Sequence, residues 1–187
     1  MEQPRIRAAT GSDLPSMVAI YNHYVRESVY TFEEQELSAE QLGERWRKVT
    51  EGECEDSSRR RLPWLVAETV ESQGGGGDAT AILGYAYADL WKPRTAYCNS
   101  VEVTIYLHPD ALGRGLGQPL YRALLDELRN QKLHSAMASI ALPNPASVKL
   151  HQALGFSKIG QAREIGRKFD RWVDVGYWQL MLQAPTV

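Results

Sequence analysis

Apolar and polar residues alternate most regularly between positions 100 and 107. The odd-numbered positions of this segment are aliphatic, whereas the even-numbered positions include Glu102, Thr104 and Tyr106. Alternate side chains of a β-strand point to opposite faces, so the segment is predicted to be a strand with one buried face. Less regular strands are predicted around residues 6–8, 64–68, 82–88, 137–141, 156–160 and 172–182.

Apolar residues recur at helical spacing in four further segments, which predicts four amphipathic helices. Their stripes are Met17, Ile20, Tyr21 and Tyr24; Leu42, Trp46 and Val49; Leu116, Leu120, Ala123, Leu124 and Leu128; and Val148, Leu150, His151 and Leu154. Thr10 or Ser12 suits the N-cap of the first helix, and Ser38 precedes the second, where Glu40 makes a poor capping box. Gly155 ends the fourth helix. This order of elements predicts a single mixed α/β sheet with helices on both faces.

Two polar segments interrupt the pattern, at residues 51–63 and 71–80. The second contains the run Gly74 to Gly77, and four consecutive glycines have almost no conformational preference. The run is therefore predicted to be a mobile hairpin connection. A phosphate-binding loop would need a following helix that begins with Lys and Ser or Thr, and the sequence has none there.

Composition narrows the class of protein. The chain has 187 residues, which fits one domain, and 21 basic against 23 acidic residues give a net charge of -2. This balance argues against binding nucleic acid through bulk charge. Cys54 and Cys98 form no zinc motif and no disulfide framework, which favours a reducing compartment. The sequence has no signal peptide and no run of 18 apolar residues, so a cytoplasmic protein without a membrane partner is expected.

A glycine-rich segment, Gly113 to Gly117, lies between a predicted strand and a predicted helix. Such a loop directs unpaired backbone N–H groups to one point at the positive end of the helix dipole, where a phosphate binds well. Arg114 would add positive charge. A tight connection without a ligand is the alternative. The dinucleotide-binding fingerprint does not fit, because the loop lies past the midpoint and no acidic residue follows about 20 residues later.

The second half of the chain resembles the GCN5-related N-acetyltransferase (GNAT) family. That family binds acetyl-CoA through a loop of pattern Gln/Arg-x-x-Gly-x-Gly/Ala, here residues 112–117, with Leu112 in place of Gln or Arg. A narrower resemblance, to the phosphinothricin/methionine sulfoximine N-acetyltransferase branch, covers nearly the whole chain. It is carried by residues 90–97, 101–102, 141–151 and 176–179. Relative to that branch, residues 51–62 and 71–80 look like insertions into a single domain of residues 1–187.

The resemblance implies a GNAT fold and an acetyl-CoA-dependent enzyme that needs no metal. The cofactor would be held by backbone groups of the strand that splays from its neighbour, by the glycine loop and helix start, and by one asparagine. These residues are Ile105, Tyr106, Leu107, Gly113, Arg114, Gly115, Leu116, Gly117, Gln118 and Asn144. For Tyr106, a packed aromatic side chain is the alternative.

Two residues are predicted to be catalytic. The reaction must remove a proton from an amine that is mostly protonated at neutral pH. By resemblance, Glu102 is the base, whereas its pattern alone also fits a strand glutamate that faces solvent. His151 occupies the position where most of the family carries a tyrosine that acts as general acid. The sequence leaves open whether His151 is a base, an acid or a hydrogen-bonded core histidine.

The acceptor site is predicted, by resemblance, at Phe32, Lys92, Arg94 and Tyr97. Two cations and aromatic rings suit a small amino-acid-like acceptor with a carboxylate and a phosphinate, sulfone or sulfoximine group. For Lys92 and Arg94, a solvated loop is the alternative. Acetyl transfer to the α-amino group of such an acceptor, by a homodimer, is expected. Two other functions remain open: acetylation of a peptide N-terminus or lysine, and a non-catalytic module that binds acetyl-CoA.

Overall fold

A computed structural model describes residues 4–52, 60–71 and 79–183. The strands are β1 Arg5–Ala8, β2 Trp64–Glu71, β3 Ala79–Leu90, β4 Ser100–Leu107, β5 Ser135–Leu142, β6 Ser157–Lys168 and β7 Arg171–Met181. The helices are α1 Leu14–Glu27, α2 Ala39–Thr50, α3 Gly117–Asn130 and α4 Pro145–Ala153. Short 3₁₀ turns lie at Gly11–Asp13, Thr95–Tyr97 and Pro109–Ala111.

The strands form one seven-stranded sheet in the order β1-β2-β3-β4-β5-β7-β6. Strands β4 and β5 are parallel, and every other neighbouring pair is antiparallel. The predicted mixed α/β sheet is confirmed.

Helices cover both faces of this sheet. On one face, the rings of Tyr21 and Tyr24 of α1 lie 5.2 and 5.3 Å from the ring of Tyr106 on β4. On the other face, a Cβ at Gly117 of α3 would lie 3.5 Å from Leu107 Cδ1. Because neighbouring residues of a strand point to opposite faces, the two helices flank β4 from opposite sides.

Most of the apolar stripe of α3 is deeply buried. Leu120, Leu124 and Leu128 are fully buried, as is Tyr121 beside them. Burial of a leucine side chain is worth about 1.5–3 kcal/mol relative to exposure, so this face fixes α3 on the sheet. Because the glycine loop ends at Gly117, the first residue of α3, the packing of this helix also fixes the end of the loop relative to the sheet.

The first strand is attached to the sheet by a cluster of charged residues. The Arg7 guanidinium lies 2.7 Å from carboxylate oxygens of both Asp13 and Glu68, and the two acids are buried. The hydrogen bonds from Arg7 hold the pKa of Asp13 below its ordinary value. This cluster joins β1, the turn after it and β2.

The two predicted insertions lie partly outside the described residues, which omit 53–59 and 72–78. Residues 71, 79 and 80, predicted to be loop, are instead part of β2 and β3, where Glu71 pairs with Ala79 and Val70 with Thr80. Backbone pairing at a hairpin does not require an apolar side chain, and this explains the longer strands. The extent of the domain and the mobility of the glycine run stay predictions. In the part of the chain that the structure describes, no helix is both long and apolar enough to cross a membrane.

Candidate active site

Strands β4 and β5 diverge after a short stretch of pairing. They pair through Ser100 with Ser135, Val101 with Ala136, and Glu102 with Met137. Beyond Glu102, β4 continues to pair with β3, and β5 continues to pair with β7. The edge of β4 that faces β5 is therefore open over residues 103–107, which include the predicted cofactor residues Ile105, Tyr106 and Leu107.

The side chains near the open edge have other partners. The Tyr106 ring packs against Tyr21, Tyr24 and Tyr85, which agrees with the packed-aromatic alternative for this side chain. Burial raises the pKa of Tyr106 well above its ordinary value. The Tyr24 hydroxyl donates to the Leu107 carbonyl at 2.7 Å. Any ligand at the open edge would thus contact backbone groups of this strand, as predicted for the cofactor.

The glycine loop follows the 3₁₀ turn at Pro109–Ala111 and ends where α3 begins. Gly113 and Gly115 have φ of +73° and +76°, a left-handed conformation that glycine adopts without a steric cost. Among the described residues, the backbone N–H groups from Gly113 to Gln118 have no hydrogen-bond partner. A Cβ at Gly113 or Gly115 would meet no protein atom within 4 Å, so the space beside these glycines is open. The loop is therefore a concave set of free donors at a helix N-terminus.

The four remaining predicted cofactor residues differ in their surroundings. Leu116 is buried at the N-cap of α3. Arg114 and Gln118 are exposed, with no side-chain hydrogen bond to the residues described. Asn144 is the N-cap of α4, where its side-chain oxygen accepts from Ser147 N at 3.1 Å. These geometries fit a ligand site but do not test it, so the cofactor assignments stay predictions.

Glu102 lies at the point where β4 and β5 part, with its side chain partly exposed. Its Oε1 accepts a hydrogen bond from Ser139 Oγ across the gap between the strands. On its other side, Glu102 is the direct antiparallel partner of Asp89 on β3. Two acids and a hydroxyl therefore line the sheet at this point, on the face that α1 covers further along β4.

His151 is buried, at 3% exposure, between Tyr121 of α3 and Phe156. Its Nδ1–H donates to the Ser147 carbonyl at 2.8 Å, which leaves Nε2 to accept from the Tyr121 hydroxyl at 3.0 Å. Burial lowers the pKa of His151, so the ring is neutral at pH 7. Both ring nitrogens are occupied, and this favours the core-histidine alternative. A catalytic role of His151 stays a prediction.

The four predicted acceptor-site residues are exposed but come from two regions. Phe32 lies in the α1–α2 connection, where its ring faces Gly166 of β6. Lys92, Arg94 and Tyr97 lie in the β3–β4 connection, with Lys92 Nζ 4.5 Å from the centre of the Trp91 ring. The structure gives no direct contact between Phe32 and the other three, and their roles stay predictions.

The structure adds residues that sequence reasoning missed. Trp91 packs edge to face on Tyr177 of β7, with ring centres 6.4 Å apart, and Tyr177 pairs with Ser139. This contact places the Lys92 segment beside the Glu102–Ser139 pair. Polar Ser139 and Asp89 stand out in apolar strands, and that signal was available in the sequence.

A cavity of about 300 Å³ lies beside Asp89, between α2 and strands β2 and β3. Trp64 and Tyr87, stacked with ring centres 3.9 Å apart, form part of its wall. Arg45 and Lys48 lie at its surface. Among the described residues, no group of three or more His, Cys, Asp or Glu side chains is arranged as a metal site.

Comparison with known proteins identifies the class of enzyme. The model of the acetyltransferase (GNAT) domain family matches residues 6–176. The phosphinothricin N-acetyltransferase of Streptomyces coelicolor is 36% identical, over 94% of this chain and 94% of the relative. The L-methionine sulfoximine/L-methionine sulfone acetyltransferase of Pseudomonas aeruginosa is 34% identical, over 97% and 95%.

A solved structure agrees with these relatives. The phosphinothricin acetyltransferase of Sinorhizobium meliloti, in complex with AcCoA, superposes with a TM-score of 0.84 at 32% identity. The match covers 99% of this chain and 94% of that one. The chain belongs to the GNAT acetyltransferase family. The predicted family, fold and acetyl-CoA-dependent N-acetyltransferase activity are confirmed.

Proposed function

We propose that this enzyme acetylates the α-amino group of a small amino-acid-like acceptor of the phosphinothricin, methionine sulfoximine or methionine sulfone type. The observation that carries the proposal is the position of Glu102. Its carboxylate lies where β4 and β5 part, next to an open strand edge and within reach of solvent. The names of the relatives support the acceptor class.

The residues fit acetyl-CoA in two ways. The free N–H groups from Gly113 to Gln118 suit a pyrophosphate, and the open edge at residues 103–107 suits an extended pantetheine chain. Arg114, Gln118 and Asn144 would add side-chain contacts. When bound, acetyl-CoA supplies the thioester that the amine attacks.

Glu102 is assigned the proton-transfer step. A free amino acid is mostly an ammonium ion at neutral pH and has no lone pair for attack. Glu102 and Asp89 are cross-strand partners, so both carboxylates lie on one face of the sheet. Their negative charge attracts this cation, and Glu102 then accepts its proton. We assign the acidic groups of the acceptor to Lys92 and Arg94, with Phe32 and Tyr97 as apolar walls.

A panel of acceptor amines tests the proposed function. Release of the CoA thiol is followed with phosphinothricin, methionine sulfoximine, methionine sulfone, standard amino acids and a peptide with a free N-terminus. The first three are expected to give the highest kcat/KM. A preference for the peptide would contradict the proposed acceptor class.

The glycine loop gives a prediction about acetyl-CoA. Gly115→Ala is expected to raise the KM for acetyl-CoA roughly tenfold or more, because the new methyl group enters the open space and displaces a charged ligand from the N–H donors. Gly52→Ala is the control, since Gly52 has a similar φ of +70° at the end of α2. It is expected to lose similar stability and to keep the KM. Equal KM values in both variants would remove the loop from the cofactor site.

Arg94 gives a prediction about the acceptor. A charged hydrogen bond contributes about 1.5–3 kcal/mol, so Arg94→Ala is expected to lower kcat/KM for the free amino acid roughly 10- to 150-fold. The carboxamide of the same acceptor lacks the charge and is expected to change little. Arg122→Ala, at an exposed arginine of α3, is the control. An unchanged acid-to-amide ratio in Arg94→Ala would show that Arg94 does not bind the carboxylate.

We further propose a homodimer that uses the β6–β7 hairpin. Strand β6 is an edge of the sheet, and five large apolar side chains of the hairpin are 44–60% exposed: Ile159, Ile165, Phe169, Trp172 and Met181. Exposed edges and apolar groups of this kind are usually covered by a partner. In sedimentation velocity the wild type is expected to be a dimer and Trp172→Lys a monomer, whereas Leu112→Lys, outside the hairpin, keeps the dimer. A monomeric wild type would contradict this.

A further inference from the structure

Ser139 is an exposed serine in a strand whose adjacent residues, Ala138 and Ile140, are buried. It lies on β5, just past the last residue pair that joins β4 to β5. Its hydroxyl donates to Glu102 Oε1 across the gap between the diverging strands. A polar group in this place is not needed for packing, because the side chain is exposed.

We propose that Ser139 is a catalytic residue whose hydroxyl passes the proton from the acceptor amine to Glu102. The proposal rests on the proposed function, since it concerns the amine that Glu102 deprotonates. A hydroxyl can donate one hydrogen bond and accept others at the same time. While Ser139 donates to Glu102, its oxygen is free to accept from an incoming N–H.

The other neighbour of Glu102 cannot take this role. Asp89 is the cross-strand partner on β3, and an ionised carboxylate accepts hydrogen bonds without donating any. One of its oxygens accepts from the Leu90 N–H at 2.7 Å. Asp89 lies on the β3 side of Glu102 and Ser139 on the β5 side, so the proton donor to Glu102 is on the side of the open gap.

The proton transfer leaves the serine unchanged. One N–H proton of the ammonium moves to Ser139 Oγ while the Oγ–H proton moves to Glu102, so the hydroxyl is restored and the amine gains its lone pair. The amine attacks the thioester carbonyl, the C–N bond forms, and the C–S bond breaks as the tetrahedral carbon collapses. The second N–H proton neutralises the departing thiolate, and Glu102 returns its proton to solvent.

The test compares Ser139→Ala with Ser139→Thr, which keeps the hydroxyl. Ser139→Ala is expected to lower kcat about 10- to 100-fold with little change in the KM for acetyl-CoA, because proton transfer slows while the cofactor contacts remain. Ser139→Thr is expected to recover most of this loss. Ser157→Ala, at an exposed serine of β6, is the matched control and is expected to match the wild type.

A double-mutant cycle gives the second readout. If Ser139 acts through Glu102, then Glu102→Gln in the Ser139→Ala background is expected to cause much less than its full separate loss. Two losses that multiply would overturn the relay, as would a Ser139→Ala kcat within twofold of wild type. Ser139→Val also lacks the hydroxyl, but valine stabilises a strand. It is expected to lower kcat as much as Ser139→Ala does, which separates loss of the hydroxyl from a folding defect.

The assay separates this proposal from the acceptor assignment. All variants are measured with the amine that the wild type acetylates best, whether an amino-acid analogue or a peptide. A peptide preference would overturn the acceptor class and leave the relay to be decided by the same variants. A wild type that acetylates no amine would overturn both proposals.

Discussion

Glu102→Gln is expected to lower kcat about 10²- to 10⁴-fold, the usual contribution of a positioned general base. Glutamine keeps the size of the side chain and can still accept from Ser139, so the variant should fold and bind acetyl-CoA normally. It has lost the basic carboxylate, and the ammonium form of the acceptor would keep its proton. The rate of release of the CoA thiol, measured from pH 6 to 9, provides the test.

The pH profile separates loss of the base from loss of structure. In Glu102→Gln, activity should rise steeply with pH, because hydroxide or solvent must then generate the free amine. Asp89→Asn is the companion variant, since Asp89 pairs with Glu102 across the strands. It is expected to raise the KM for the acceptor while kcat changes less. Near-normal turnover in Glu102→Gln would exclude Glu102 as the base.

Arg7→Met is expected to lower the free energy of unfolding by about 3–5 kcal/mol, the typical cost of removing one partner from a buried ion pair. The substitution leaves Glu68 at 2% exposure and Asp13 at 6% without their guanidinium. Arg5 offers little compensation, because its Nε lies 3.8 Å from Glu68 Oε1 and its side chain is exposed. Urea unfolding at pH 7 measures the loss.

Arg26→Met is the matched control, because Arg26 and Glu36 form a pair in which both side chains are about half exposed. Such surface pairs are worth about 0–1 kcal/mol. The free energy of unfolding at acid pH provides a second check. The pKa of Asp13 is lowered in the folded protein, so its contribution is present above its unfolded pKa and is lost as pH falls through the folded value. The gap between wild type and Arg7→Met should therefore narrow below about pH 4. Equal losses for Arg7→Met and Arg26→Met would contradict the structural role of Arg7.

The sequence predicted the elements of the fold because their signals are local. Strand β4 has the bounds that its alternating side chains predict, and Gly155 ends the last helix with a φ of +92°. Helix α2 begins after Ser38 as predicted. Its capping box is closed by Gln41, whereas Glu40 was considered as the partner and dismissed as poor. The sequence already contained the signal for Gln41, because the capping-box partner is a Glu or Gln three residues after the N-cap serine.

The candidate site was harder to predict, because its contacts join residues far apart in the chain. The order and register of the strands bring these residues together. Ser139 thereby reaches Glu102 with a hydrogen bond, and Trp91 packs on Tyr177. A sequence pattern does not fix which residues of two parallel strands lie opposite each other. The surroundings of His151 were equally hidden, because Tyr121 is 30 residues away and belongs to another helix. Its residue type alone allowed a base, an acid or a core side chain.

The short join between β4 and β5 has a consequence for how the protein opens. Three residue pairs link these strands, whereas eight link β5 to β7, so the junction is a weak point of the backbone ladder. Regions joined by few backbone hydrogen bonds open locally before the whole molecule unfolds. A ligand lying in the gap contacts both sides and stabilises the closed state in proportion to the logarithm of its concentration. Amide hydrogen exchange on β4 and β5 should thus slow when acetyl-CoA is added, while the β2–β3 hairpin keeps its own rate.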